Sequence, residues 1–221
     1  MTTTIDKARA DIVRFGALLF ERHLTDAAGG NISVRVGDKI CISPRYSGQK
    51  RQWQLQPEDV LLLDEDGNIL EGEGQISRES QVHLKLHRHF KEYGTAVIHC
   101  HARNVLVFAA ANKSMPPILE ANLKFGEIPI VAYAPAHTAQ LSQNILGAMI
   151  GHEARVRKHA AAAIAPWHGL FVMGKDLDAA FDAAERIDTN AYCILMGRQL
   201  GMDVEATYQL LESEAARWGK E

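Results

Sequence analysis

The sequence predicts an α/β fold, a single domain built on a central, mostly antiparallel β-sheet flanked by helices. Three observations carry this. Helical stripes, with apolar residues three and four apart, recur along the chain. Between them lie short alternating or β-branched runs bounded by glycine, asparagine and aspartate turns. The 221 residues are enough to bury a sizeable core, and no repeat, low-complexity tract or linker-like stretch divides them. The expected domain spans residues 1–221, with a core over about 5–200 and a closing helix over about 203–218.

The elements follow in order. Ile5, Ala8, Ile12, Phe15, Leu18 and Leu19 mark a first helix, ending near Leu24-Thr25-Asp26. Gly29-Gly30 turns the chain into an alternating strand to Val36, and Val36-Gly37-Asp38 turns it back into a hairpin partner, Lys39 to Ser43. Arg45 to Gln52, polar and basic, reads as a surface loop. A strand is expected at Val60 to Leu63, and Asp66-Gly67-Asn68 leads into Ile69-Leu70. Ser77 reads as the N-cap of a helix running to about Phe90. The short apolar strand Ala96 to Cys100 comes next, then a helix from Ala102 to Ala111, stopped by Met115-Pro116-Pro117. Glu127 to Val131 reads as a strand and Thr138 to Ile150 as a helix. Ala160 to Ala165 and Leu170 to Met173 read as strands joined by the turn Pro166-Trp167-His168-Gly169. Asp176 opens a long helix, and Val204 to Trp218 forms the last one.

Composition excludes several classes. With 47% hydrophobic and 23% charged residues and a formal net charge of −3, the chain has no basic excess for nucleic acid or an anionic membrane. No apolar run reaches the roughly 18 residues of a membrane span. The N-terminus lacks the pattern of a signal peptide. Cys41, Cys100 and Cys193 are scattered and odd in number, as expected of free thiols in a reducing cytoplasm.

The chemistry concentrates in histidines. Alternation along a strand sends His99 and His101 to one side and Cys100 to the other. That pair can share a metal ion, and a hydrogen-bonded surface pair explains the spacing equally well. His168, in its turn between apolar strands, would complete three nitrogen ligands, leaving a fourth position open. Alone it reads more readily as a structural residue. Glu79 falls in the first turn of its helix, where the helix dipole already favours a carboxylate. It also shares a face with Val82, His83, Leu86 and Phe90, which aims it at the sheet. A rival metal set, Glu79, His83 and His87, ranks lower, because His87-Arg88-His89 looks like a solvated helix end. Gly29-Gly30-Asn31 has no nucleotide-loop spacing, but its amides can cradle a phosphate, with Ser47, Gly48, Lys50 and Arg51 supplying matching groups.

Four segments together resemble the class II aldolase/adducin family. They are Gly29-Gly30-Asn31-Ile32-Ser33-Val34-Arg35, Ser77-Arg78-Glu79, Val97-Ile98-His99-Cys100-His101-Ala102 and Trp167-His168-Gly169-Leu170-Phe171. The resemblance runs from about Ile5 to Leu200. It implies an α/β domain assembled as a homotetramer, with active sites between subunits and a small anionic substrate. It also implies that His99, His101 and His168 hold a divalent metal, usually Zn2+ with Mn2+ or Co2+ possible. Glu79 would be the acid/base group. Asn31, Ser47, Gly48 and Ser77 would bind phosphate.

The sequence departs from fuculose-type aldolases at three places. Ser77-Arg78-Glu79 replaces Ser-Ser-Glu, and Ser43-Pro44-Arg45-Tyr46-Ser47-Gly48 lengthens Thr-Pro-Thr-Gly. No tyrosine falls near Ile118 to Asn122, so His137 is the candidate second acid/base residue, reaching a neighbouring subunit. Arg78 adds a bidentate donor for phosphate or carboxylate. The expected activity is aldol cleavage of a ketose 1-phosphate or similar sugar phosphate to dihydroxyacetone phosphate and an aldehyde, through a metal-stabilised enediolate. Decarboxylation, epimerisation or dehydration by the same site is the alternative. A noncatalytic adducin-like scaffold is the reading from another class.

Overall fold

The structure, a computed structural model, describes residues 4–218. Its first half runs α1 (Ile5–Glu21), β1 (Asn31–Val36), β2 (Lys39–Ile42), α2 (Ser47–Arg51), β3 (Leu61–Leu63), β4 (Ile69–Glu71) and α3 (Ser80–His89). The second half runs β5 (Ala96–Cys100), α4 (Val105–Ala111), α5 (Ala139–Met149), α6 (Glu153–Lys158), β6 (Ala160–Ala165), β7 (Gly169–Gly174), α7 (Leu177–Gln199) and α8 (Val204–Trp218). The seven strands form one sheet in the order β4-β3-β2-β1-β5-β7-β6, and every strand pairing is antiparallel.

Strand alternation divides the core. Ile32, Val34, Ile98, Cys100, Leu170 and Val172 face α1 and α7. Val97, Phe171, Met173 and Ala163 face α3 and α5. Asn31 pairs with His99, and His99 with Phe171. A row of functional side chains therefore crosses three strands on the α3 face. Thr4 and Asp176 cap α1 and α7 by accepting amide protons, as their residue types favour. No helix among the described residues is long and apolar enough to cross a membrane.

The structure corrects four expectations and adds one helix. Arg45–Gln52 is not a loop: it holds α2, entered through Tyr46 and left through Gln52, both left-handed. Ser47 and Gly48 are buried there, and a Cβ on Gly48 would lie 2.6 Å from the Asp26 carbonyl, so the turn packs on that backbone. Ser77 does not cap α3, which starts at Ser80; its hydroxyl is directed to Asn31 and Glu79 instead. Glu127–Val131 makes only isolated bridges, Met115 to Ile128 and Ile130 to Ile164, because Pro129 has no amide to continue a ladder. His87 is buried, not solvated. Helix α6 was not expected from the sequence; it is short, with Val156 its sole buried residue.

Candidate active site

Three imidazoles converge where β5 ends and β7 begins. His99, His101 and His168 each offer a nitrogen within 4.8 Å of the others. The last pair of the β6–β7 ladder, Ala165 with Gly169, leaves Pro166, Trp167 and His168 to make the turn. Trp167 takes the left-handed conformation there, at φ 55°. Gly169 is required by close approach: a Cβ would stand 2.6 Å from the Cys100 carbonyl and about 3 Å from both neighbouring imidazoles.

Hydrogen bonds set two of the rings. His99 Nδ1 lies 3.0 Å from the Leu170 carbonyl, which can only accept, so Nδ1 carries the proton and Nε2 is left as a lone pair. The ring stacks on Phe171 at 4.1 Å between centroids. His101 Nδ1 lies 3.0 Å from Asp26 Oδ1, and its Nε2 is buried with no hydrogen-bond partner. An orphaned imidazole nitrogen among two others is costly unless something binds it. Burial holds His99 well below the ordinary histidine pKa. It also lowers His168, against the opposing pull of Glu79. Neutral rings with free nitrogens are what a metal ion needs. The residues present fit a divalent cation.

Glu79 stands beside this cluster with its two oxygens differently employed. Oε2 accepts from Ser77 Oγ at 2.7 Å and from Asn31 Nδ2 at 3.0 Å. Oε1 accepts no hydrogen bond from the described residues and lies 3.8 Å from His168 Nε2. The carboxylate is thus fixed on one side and open on the side of the imidazoles. A cavity of about 190 Å³ covers the group, lined by Gly29, Ser47, Gly48, Ser77, Arg78 and Glu79 with the three histidines, and also by Arg45 and Tyr46.

Most of the residues expected at a site thus share one cavity. Asn31 is not among the residues that line it; its Nδ2 donates to Ser77 and Glu79, and its Oδ1 is buried without a hydrogen-bond partner among the described residues. His137 is exposed just before α5 and outside its own chain's cavity. The rival set dissolves: Ser33 Oγ lies 2.6 Å from His83 Nδ1 and 2.7 Å from His87 Nε2, a buried hydrogen-bonded trio of their own. Sequence reasoning missed Asp26, which also accepts from the amides of Ala28 and Gly29. An aspartate two and three residues before those amides is a readable turn signal. Its contact with His101 has no local signature.

The fold and the cavity define a class: an antiparallel-sheet α/β protein with three histidines and one carboxylate around a small polar pocket. Residues 10–195 match the family model described as class II aldolase and adducin N-terminal domain. The chain belongs to the class II aldolase/adducin family. It is 27% identical over 179 residues to the L-fuculose phosphate aldolase of Methanococcus maripaludis, covering 80% of this chain and 91% of that one. It is 32% identical over 167 residues to the 5-methylthioribulose-1-phosphate/5-deoxyribulose-1-phosphate aldolase of Rhodospirillum rubrum, covering 75% and 70%. Among solved structures, an L-fuculose 1-phosphate aldolase superposes with a TM-score of 0.77 at 23% identity, covering 93% of this chain and 95% of the other.

Proposed function

We propose that the protein is a divalent-metal-dependent lyase that splits a ketose 1-phosphate, or a similar sugar phosphate, into dihydroxyacetone phosphate and an aldehyde. One observation carries this reading: Glu79 holds Oε2 in two hydrogen bonds and turns Oε1, free, toward the three imidazoles. Family membership and the sugar phosphates in the relatives' names point the same way. His99, His101 and His168 would hold the cation, and three nitrogen donors suit zinc. A divalent ion bound there supplies Lewis-acid polarisation of a carbonyl oxygen.

The chain's own residues do the rest. Ser47, Gly48 and Ser77 bind the phosphate through backbone amides, the first two at the opening of α2 with no acceptor within it, and the Ser77 hydroxyl stays with Glu79. Glu79 Oε1 moves the proton at the carbon beside the carbonyl, while Asn31 and Ser77 keep the carboxylate from rotating away. In the cleavage direction the bond between that carbon and the hydroxyl-bearing carbon breaks. Its electron pair stays on the ketone side, where Glu79, which enters the step protonated, gives that proton to the carbon. The hydroxyl proton leaves to a second group, from which solvent carries a proton back to Glu79, so that none is gained or lost. That second group is proposed to be His137 of a neighbouring subunit in a homotetramer. Its exposure supports this, as does the exposed Tyr133–Trp167 aromatic pair, edge to face at 5.3 Å, beside these two segments.

The test is hydrogen exchange. Metal-loaded protein and dihydroxyacetone phosphate are incubated in heavy water, and the C3 hydrogens are followed by NMR. Exchange of one hydrogen, lost in Glu79→Gln, is the expected result. Absence of exchange with metal present overturns the reading.

A further inference from the structure

Two arginines occupy the mouth of the cavity, and both sit where the sequence departs from the fuculose-type pattern. Arg45 and Arg78 line it together. They lie on two chain segments that are tied to each other. The Arg45 amide donates to the Gln75 carbonyl at 2.8 Å, and its guanidinium donates to Gln75 Oε1 at 3.2 Å while lying 4.6 Å from the Tyr46 ring centroid. Arg78 stands between Ser77 and Glu79, whose side chains are both bonded to Asn31, so its backbone is clamped on either side.

Neither guanidinium forms an ion pair among the described residues. Arg45 meets a neutral amide oxygen, and Glu73, which shares the adjoining cavity with it, makes no bridge to it. Among the described residues, Glu79 is the one carboxylate lining the active cavity. Glu79 faces the imidazoles and Asp26 stands behind His101, so neither carboxylate pairs with Arg45 or Arg78. A phosphate monoester brings about −1.5 to −2 at neutral pH, which offsets a divalent ion on the histidines and leaves both guanidinium groups without an anion. Guanidinium forks match a planar or tetrahedral oxyanion.

We infer that the substrate carries a second anionic group besides its phosphate, a carboxylate or another phosphate, and that Arg45 and Arg78 grip it. The inference rests on the sugar-phosphate reading of the same pocket and narrows the substrate to a doubly anionic one. It also makes the two arginines determinants of specificity, with no part in moving protons.

A pair of near-isosteric probes tests this: 3-phosphoglycerate and glycerol 3-phosphate, which differ by a carboxylate in place of a hydroxymethyl group. Both are titrated calorimetrically into metal-loaded wild type and into the double variant Arg45→Gln/Arg78→Gln. The wild type is expected to bind 3-phosphoglycerate at least about tenfold more tightly, and the ratio to fall to about one in the double variant. Equal affinity in the wild type overturns the inference while leaving phosphate binding intact. A preference that survives the double variant also overturns it, since the carboxylate would then be held by the metal. Binding of neither probe overturns the sugar-phosphate reading, and this inference with it.

Discussion

Acidification should destabilise the protein through two histidines that take no part in the proposed chemistry. His83 and His87 lie against Ser33 between α3 and the sheet, and both are fully enclosed. Burial pushes His83 down to about 3. Burial, then the neighbouring His83 and Arg35, hold His87 well below its ordinary value. A histidine whose folded pKa is depressed binds its proton more readily in the unfolded chain. Its stabilising contribution is therefore present above the unfolded pKa of about 6.5 and is lost as the pH falls from there toward the folded value. For His83 the loss between pH 7 and pH 5 is ~2 kcal/mol, and His87 brings the pair to as much as ~4 kcal/mol. That is a large part of an ordinary domain's 5–15 kcal/mol or so. Urea unfolding at pH 7 and pH 5 measures it. His99 and the carboxylates also contribute to the wild-type slope, so the comparison is with Ser33→Ala/His83→Leu/His87→Leu. This triple variant removes all three polar groups together and leaves no orphan. Its stability should fall by several kcal/mol less than the wild type's over the same interval. Equal falls, within about 0.5 kcal/mol, would refute the assignment of neutral buried imidazoles.

Other outcomes follow from the site. Asp26→Asn should weaken metal binding about 10–100-fold in competition with a chromophoric chelator, because the carboxylate sets the His101 ring; unchanged affinity would show that the ring is positioned without it. Gly29→Ala places a Cβ 2.6 Å from His101 Cε1, so metal affinity should drop while the urea midpoint of metal-free protein moves little. Asp188 accepts from the amides of Asn104 and Val105 and from the Asn104 side chain, all at the start of α4. Asp188→Ala should cost ~2–4 kcal/mol in chemical unfolding, and a neutral result would contradict its role as the anchor of that helix.

What the sequence disclosed about the site was what local geometry carries. Strand parity alone puts His99 and His101 on one side, and the β6–β7 turn presents His168 because its flanking apolar runs pair as a hairpin. The partners that orient these rings are another matter. Leu170 and Asp26 lie 71 and 75 residues away from the histidines they bind, and they reach them through sheet register and loop packing. No periodicity encodes such a contact. The helical turn at Ser47–Arg51 escaped for a similar reason: its residues are polar, and its burial comes from docking on Asp26–Ala27.

The histidines at 83 and 87 show where a further signal was available. Helical spacing correctly put them on one face, yet it could not say whether a metal or a protein group lay opposite. The strand could have done so. Asn31 and Ser33 alternate with the apolar Ile32 and Val34, and all four are buried. Polar residues on an inward parity must meet polar partners, or their desolvation is uncompensated. Asn31 meets Glu79 and Ser77, and Ser33 meets the two imidazoles, so one strand face holds α3 through hydrogen bonds at both ends. Glu79 stands at the N-terminal end of that helix. The buried trio, with Val82, Leu86 and Phe90 packed beside it, seats α3 on the sheet whose β5 carries His99.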